Sequence, residues 1–139
     1  MFKRRYRLRW KDVNFLVRRR QYFSSGYFGF FYFDQYPNLK FNQISVNIPV
    51  KYNKRAVERV RLKRIINTYL LNNWYDKKPI NWKFYKIFVF INKNSISELK
   101  SQMEKFDKDY INHYICVQFD DSFLKFMNKL WNYTKAFEK

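Results

Sequence analysis

Residues 51–69, KYNKRAVERVRLKRIINTY, decide how this chain is read. Lys51, Lys54, Arg55, Arg59, Arg61, Lys63 and Arg64 stand there against a single acid, Glu58, before the segment turns apolar. At 100° per residue Leu62, Ile65, Ile66 and Tyr69 share one side of a helix, while Arg59, Arg61, Lys63 and Arg64 spread over the opposite arc. The spacing predicts an amphipathic helix from about Arg55 to Asn72, its back in a core and its front toward phosphates. A solvated basic surface is the alternative reading of the same charges.

The flanks of this helix read as strands. Upstream, Leu39–Val50 alternates Ile44, Val46, Ile48 and Val50 with Gln43, Ser45 and Asn47, the period of a half-buried strand that Pro49 ends or places at an edge. Downstream, a polar connector over Asn73–Asn81, broken by Pro79, leads to WKFYKIFVFI at 82–91, a third strand buried from Ile87 onward.

Nearer the start, residues 1–9 alternate basic and bulky groups, and Arg4, Arg5, Arg7 and Arg9 read as a basic arm. Trp10–Arg20 suits a helix with Val13, Leu16 and Val17 inward and Arg18, Arg19 and Arg20 in a last turn where the dipole favours cations. SSGYFGFFYFD at 24–34 predicts one strand with aromatics on both faces, and DQYPN at 34–38 a turn.

Toward the end, Ser95 and Glu98 have capping-box spacing ahead of Ile96, Leu99, Met103 and Phe106 on one helical face. Tyr114–Phe119 then reads as a further short strand ending at Asp120 and Asp121. Ser122 would cap a last helix lined by Phe123, Met127, Leu130, Thr134 and Phe137. With no repeat and no linker, the chain is one α+β or mixed α/β unit.

Charge narrows the function. The 139 residues carry 29 Lys and Arg against 11 acids, a net +18, with 47% hydrophobic content that argues for a folded core. Residues 1–64 hold 17 of the 29 cations and only Asp12, Asp34 and Glu58 as acids. Such asymmetry points to a polyanion, nucleic acid or an acidic membrane surface. The longest uncharged run, Gln21–Phe33, falls short of the roughly 20 apolar residues of a span and contains Gly26 and Gly29. An apolar signal sequence is not expected, and an Arg-rich organelle presequence is disfavoured. One cysteine, Cys116, forms no internal disulfide and reads as a packed thiol in a reducing interior.

Enzyme motifs are missing. Two glycines in the whole chain exclude a phosphate loop or dinucleotide fingerprint, and one His with one Cys cannot make a zinc cluster. His113 reads as structural or exposed. Asp120 and Asp121 fit a turn and helix cap better than a Mg²⁺ pair. The expectation is a protein without its own active site, without a small-molecule substrate and without a membrane partner. The aromatics of 27–33 have two readings: core on both faces, or core on one face and a stacking surface for unpaired bases on the other.

Four stretches then resemble the bacterial ribonuclease P protein component over roughly residues 5–111. Its signature helix, approximately A-V-x-R-N-R-x-K-R, is matched in register by Ala56, Val57, Arg59, Arg61, Lys63 and Arg64, with Val60 in place of the Asn and Lys54 in place of a preceding glycine. Arg7-Leu8 with Phe15 and Val17 is similar to the family's first helix, Ile44-Ser45-Val46 to its I-S-V strand, and KIFVFINKNSISELKSQMEKF to its hydrophobic strand, loop and S-x-x-E-L helix.

The resemblance implies an α+β fold, a mixed sheet packed with helices in the ribosomal protein S5 domain 2-like sandwich, with a left-handed strand-helix-strand crossover. It also implies an RNA-binding subunit of an endoribonuclease whose catalytic groups sit on a partner RNA with Mg²⁺, the protein itself binding no cofactor. Lys51, Arg55, Arg59, Arg61, Lys63 and Arg64 would contact ribonuclease P RNA. Phe15, Arg18, Arg19, Tyr27, Phe28, Phe30 and Tyr32 would line a cleft for the single-stranded 5′ leader of precursor tRNA. Residues 1–111 would form the RNA-binding domain, and 112–139 a C-terminal extension of a short strand and an amphipathic helix packed on it. The location implied is cytoplasmic, in a bacterium or an organelle interior. A structural protein of a ribosome or another ribonucleoprotein particle is the competing reading, and a peripheral membrane protein a third.

Overall fold

The computed structural model describes residues 7–39, 41–73 and 84–131. Arg4 and Arg5 of the arm, the connector with Pro79, Trp82 at the start of the third predicted strand, and Thr134 and Phe137 lie outside them. The elements run α1 (Trp10–Arg19), β1 (Tyr22–Ser25), β2 (Phe28–Asp34), β3 (Gln43–Val46), α2 (Ala56–Asn73), β4 (Tyr85–Ile91), α3 (Ile96–Lys105) and α4 (Lys108–Trp131).

The four strands form one mixed sheet in the order β1-β2-β4-β3. β2 runs antiparallel to β1 and to β4, while β3 and β4 are parallel. A parallel pair requires a crossover, and α2 supplies it. The aromatic stretch predicted as one strand is a hairpin. Gly26 opens its two-residue turn at φ 59°, a conformation glycine adopts without a Cβ penalty, as in type II′ hairpin turns. β3 is shorter than the alternation suggested, because the backbone leaves the ladder before Pro49, whose carbonyl accepts the N–H of Tyr52.

Strand alternation sorts the side chains onto two faces. On the inner face Phe28, Phe30, Tyr32, Ile44, Val46, Tyr85, Ile87, Val89 and Ile91 are buried beneath α2 and α4. α2 contributes Leu62, Ile66 and Leu70, and α4 contributes Ile111, Ile115, Phe119, Phe123, Phe126 and Met127. That last series has helical spacing throughout, which is why the predicted strand at Tyr114–Phe119 is instead one and a half turns of α4. The β-branched and aromatic residues there answer to burial against the sheet, which overrides a weak strand preference. The boundary expected at residue 112 therefore falls inside one continuous helix. Ser122 caps nothing; it is buried mid-helix and donates to the carbonyl of Ser25 at 2.7 Å.

Rings dominate this contact. Phe30 stacks on Phe126 with centroids 4.5 Å apart and planes at 10°, and Phe28 meets Phe119 edge-on at 5.1 Å. Between the helices the Tyr69 hydroxyl donates to the Asp120 carboxylate. Ser95 precedes α3 as expected, but its side chain makes no cap bond; a 3₁₀ turn over Lys93–Ser95 leads into the helix instead.

Among the described residues the outer face is covered only in part. α1 lies across it, and Leu8, Val13 and Leu16 pack on Phe31, Phe33 and Phe88. The end of the predicted arm is thus anchored: Leu8 is buried, and its N–H donates to Ser45 Oγ at 3.1 Å. Val17, expected inward, is 41% exposed because α1 touches the sheet along a narrow line.

Candidate nucleic-acid interface

Cross-strand register places the outer-face residues in rows. Tyr22, Phe31, Phe88 and Ser45 form one row, and Ser24, Gly29 and Phe90 the next. Phe90 bends across the sheet into the space over Gly29; a Cβ there would lie 2.3 Å from its ring. Its centroid sits 4.8 Å from that of Phe31, and Tyr22 closes the group at 5.6 Å from Phe31. Glycine is what lets the rings come together.

Beside them, α1 and β3 enclose a groove of about 700 Å³, with Trp10, Asn14, Val17 and Arg18 on the helix side and Asn47 and Phe88 on the sheet side. Trp10 is 75% exposed. The side-chain amides of Asn14 and Asn47 make no hydrogen bond among the described residues. Apolar ring faces, free amide edges and an exposed guanidinium are the groups that stack, read and neutralise an unpaired nucleotide.

On the other flank of α1 a second cleft of about 470 Å³ lies between Phe15, Phe33, Tyr36 and Lys86. Lys86 is buried, its ammonium 4.0 Å from Asp12 Oδ1 and 4.1 Å from the centroid of Tyr36. The Tyr36 hydroxyl donates to the same Asp12 oxygen at 2.8 Å, and that bond, ahead of desolvation, raises the Tyr36 pKa above its ordinary value. Phe15 meets Phe33 edge-on at 5.3 Å, and the Arg19 guanidinium lies 4.8 Å over Phe33.

The predicted cleft residues divide accordingly. Phe15, Arg18 and Arg19 flank the grooves, Arg18 returning an Nε–H bond to the carbonyl of Asn14 at 3.4 Å. Phe28, Phe30 and Tyr32 do not: they point to the opposite face and are sealed under α4 at 0%, 0% and 7% exposure. Tyr27 is also on that side, its hydroxyl 2.8 Å from that of Tyr114, whose pKa burial raises. The rings on the open face are instead Phe31, Phe33, Phe88 and Phe90. Alternation in β2 separates the two sets in sequence, and Gly29 marks the outer one, but nothing local tells which set a distant helix covers.

α2 lies on the inner side of the sheet and turns its outward surface away from these grooves. Lys51, Arg55, Lys63 and Arg64 are exposed, and their side chains make no hydrogen bond or ion pair among the described residues. Arg59 and Arg61 are engaged: Arg59 donates to the carbonyls of Asn53 at 2.7 Å and Lys54 at 3.0 Å, and Arg61 lies 3.6 Å from Glu58. Arg7 and Arg9 of the arm are exposed before α1. Among the described residues no three His, Cys, Asp or Glu side chains gather as metal ligands, and no helix is long and apolar enough to cross a membrane.

A strongly basic α+β protein, with a mixed sheet sealed on one face and groove-lined on the other, has the charge and surface that suit a nucleic acid. The ribonuclease P family model matches residues 2–113, and the chain belongs to that family. Its fold is similar to that of the RNase P protein from Thermotoga maritima solved in complex with 1-(4-fluorophenyl)-2-thiourea, at 19% identity and a TM-score of 0.62, over 83% of this chain and 94% of that one. A second structure of the RNase P protein from Thermotoga maritima gives 18% identity and a TM-score of 0.61, over 83% and 92%. No curated protein matches the sequence.

Proposed function

We propose that the chain is the protein subunit of ribonuclease P and assists its RNA in removing the 5′ leader of precursor tRNA. Family membership supports the subunit role. The observation that carries the leader assignment is the groove beside α1, where Trp10 and Phe88 offer ring faces, Asn14 and Asn47 offer unbonded amides, and Arg18 offers charge. Rings and amides together suit single-stranded nucleotides, because a paired base hides the edges and faces these groups address. On the far side of the sheet, Lys51, Arg55, Lys63 and Arg64 dock on ribonuclease P RNA by replacing its counterions.

Catalysis in this reading belongs to the RNA and its Mg²⁺ ions. The protein lowers the Mg²⁺ the complex needs by supplying fixed positive charge and by holding the leader in line. It acts where that RNA is made, in the bacterial cytoplasm or an organelle interior.

Reconstitution tests the proposal. With the ribonuclease P RNA of the same organism at low Mg²⁺, the protein is expected to accelerate cleavage of precursor tRNA, and more so for a substrate with a leader of several nucleotides than for one with a single nucleotide. Equal acceleration of both substrates removes the leader role. No acceleration favours a scaffold protein of another ribonucleoprotein particle.

A further inference from the structure

The outward line of α2 is not the row of cations that its sequence displays. Leu62, Ile66 and Leu70 turn into the core, so the opposite side of the helix is centred on Val57, Val60 and Arg64. Val57 is 70% exposed and Val60 46%. With exposed Ala56 they make an apolar strip on a helix otherwise rich in charge. Arg64 continues its line, and Arg61 and Lys63 flank it on either side. Arg61 is held by Glu58 at 3.6 Å on one side, while exposed Lys63 and Arg64 make no ion pair among the described residues. A groove of about 760 Å³ runs along the strip, bounded by Ala56, Val57, Val60, Arg64 and Ile65 and, at its edge, by the Glu58–Arg61 pair, whose charges offset each other.

Resting on the proposed docking of α2 to ribonuclease P RNA, we infer that this strip receives an unpaired nucleotide of that RNA. One face of a turned-out base and its ribose packs on Val57 and Val60, and the adjoining phosphates meet Arg64 and Lys63. Two physical points select this occupant. The excess of cations in residues 1–64 is complementary to a polyanion, repels a basic partner and offers no electrostatic attraction to a neutral one. A regular duplex would present phosphates to the strip, and desolvating an anion against valine is unfavourable, whereas an unstacked base and a ribose face offer apolar surface. The apolar and ionic parts then differ in salt response. Each phosphate neutralised adds to the slope of log K against log salt, and burial of valine methyls adds to affinity at every salt concentration alike.

The test uses the full chain and an in vitro transcript of the ribonuclease P RNA from the same organism, with affinity measured between about 50 and 200 mM salt. V57T/V60T keeps side-chain shape and helix preference while replacing a methyl by a hydroxyl at each site. It is expected to bind about tenfold more weakly at every salt concentration with an unchanged slope. K63A/R64A is expected to lower the slope by about 1 to 2. Ribose acylation of the bound transcript is expected to show an unpaired nucleotide protected by the wild type and released by V57T/V60T. Wild-type binding with V57T/V60T within twofold of it overturns the inference alone and leaves the strip to a protein partner. Failure of the wild type to bind overturns the docking of α2 as well.

Discussion

Lys86 of β4 and Asp12 of α1 form a buried pair across the outer face of the sheet, with 4.0 Å between ammonium and carboxylate and both side chains at most 5% exposed. The pair joins the helix that carries Trp10, Asn14 and Arg18 to the strand that carries Phe88 and Phe90. Two charges removed from water need each other and their hydrogen-bond partners, here the Tyr36 hydroxyl on the carboxylate and aromatic faces about the ammonium. Asp12→Ala leaves that ammonium buried and unpaired and is expected to lower unfolding stability by about 3–5 kcal/mol. Asp12→Leu combined with Lys86→Met is expected to recover much of the loss. Urea denaturation of the three proteins checks both; additive losses in the double variant would show that the two groups do not act as a pair.

The two faces of β2 make opposite demands. Phe30→Ala empties a site stacked on Phe126 and is expected to cost about 3–5 kcal/mol of stability. Trp10→Ala removes a side chain that is 75% exposed and is expected to leave stability within about 0.5 kcal/mol. The same change is expected to weaken leader binding by about 1–3 kcal/mol. Thermal melts beside affinity for a single-stranded RNA of leader length separate these effects.

Gly29 keeps the outer rings together. In Gly29→Ala the new methyl falls on the Phe90 ring, which is only half-buried and has solvent to swing into. The expected result is a loss of about 1–3 kcal/mol and an altered ring environment around Phe31 and Tyr22. Near-ultraviolet circular dichroism and aromatic chemical shifts report it, and an unchanged Phe90 spectrum would refute the clash.

Alkali gives a separate handle. Burial, then the nearby Glu58, pushes the Tyr52 pKa up to about 12. The folded chain therefore holds this proton more tightly than the unfolded chain, whose tyrosine titrates near the ordinary value of about 10. Its contribution is complete below about pH 10 and is lost as pH rises toward 12. Tyr52→Phe is expected to lose less stability than the wild type between about pH 9.5 and 11.5, measured by denaturant titration at each pH. Identical slopes for the two proteins would place the tyrosine in water.

Local pattern was sufficient for α1, α2, β4 and α3. Each has a long periodic run whose partner is simply a core, and the basic strip at 51–64 stands out in composition alone. The hairpin at Gly26 was legible in principle, since a glycine within an aromatic run is a turn signal, but the unbroken aromatic character concealed it. α4 is not legible locally because YICVQF at 114–119 has strand-like residues, and only the sheet beneath Phe119, Phe123 and Phe126 makes one helix of the whole stretch.

By itself, then, the sequence determined a basic α+β protein without enzyme motifs, a helix over about 55–72 with a basic front, and aromatic rings alternating to both faces of the 24–34 stretch. Tertiary structure decided which set is sealed in the core and which is left on the open face. α4 comes from more than 75 residues further along the chain and seals Phe28, Phe30 and Tyr32, leaving Phe31, Phe33, Phe88 and Phe90 to the open side. Packing of Leu62, Ile66 and Leu70 against the sheet turns Lys63, Arg64 and the two valines outward, while Arg59 and Arg61 are held by local contacts to Asn53, Lys54 and Glu58. Alternation fixes that two faces exist; which one meets water depends on a contact distant in sequence, and no local preference encodes it.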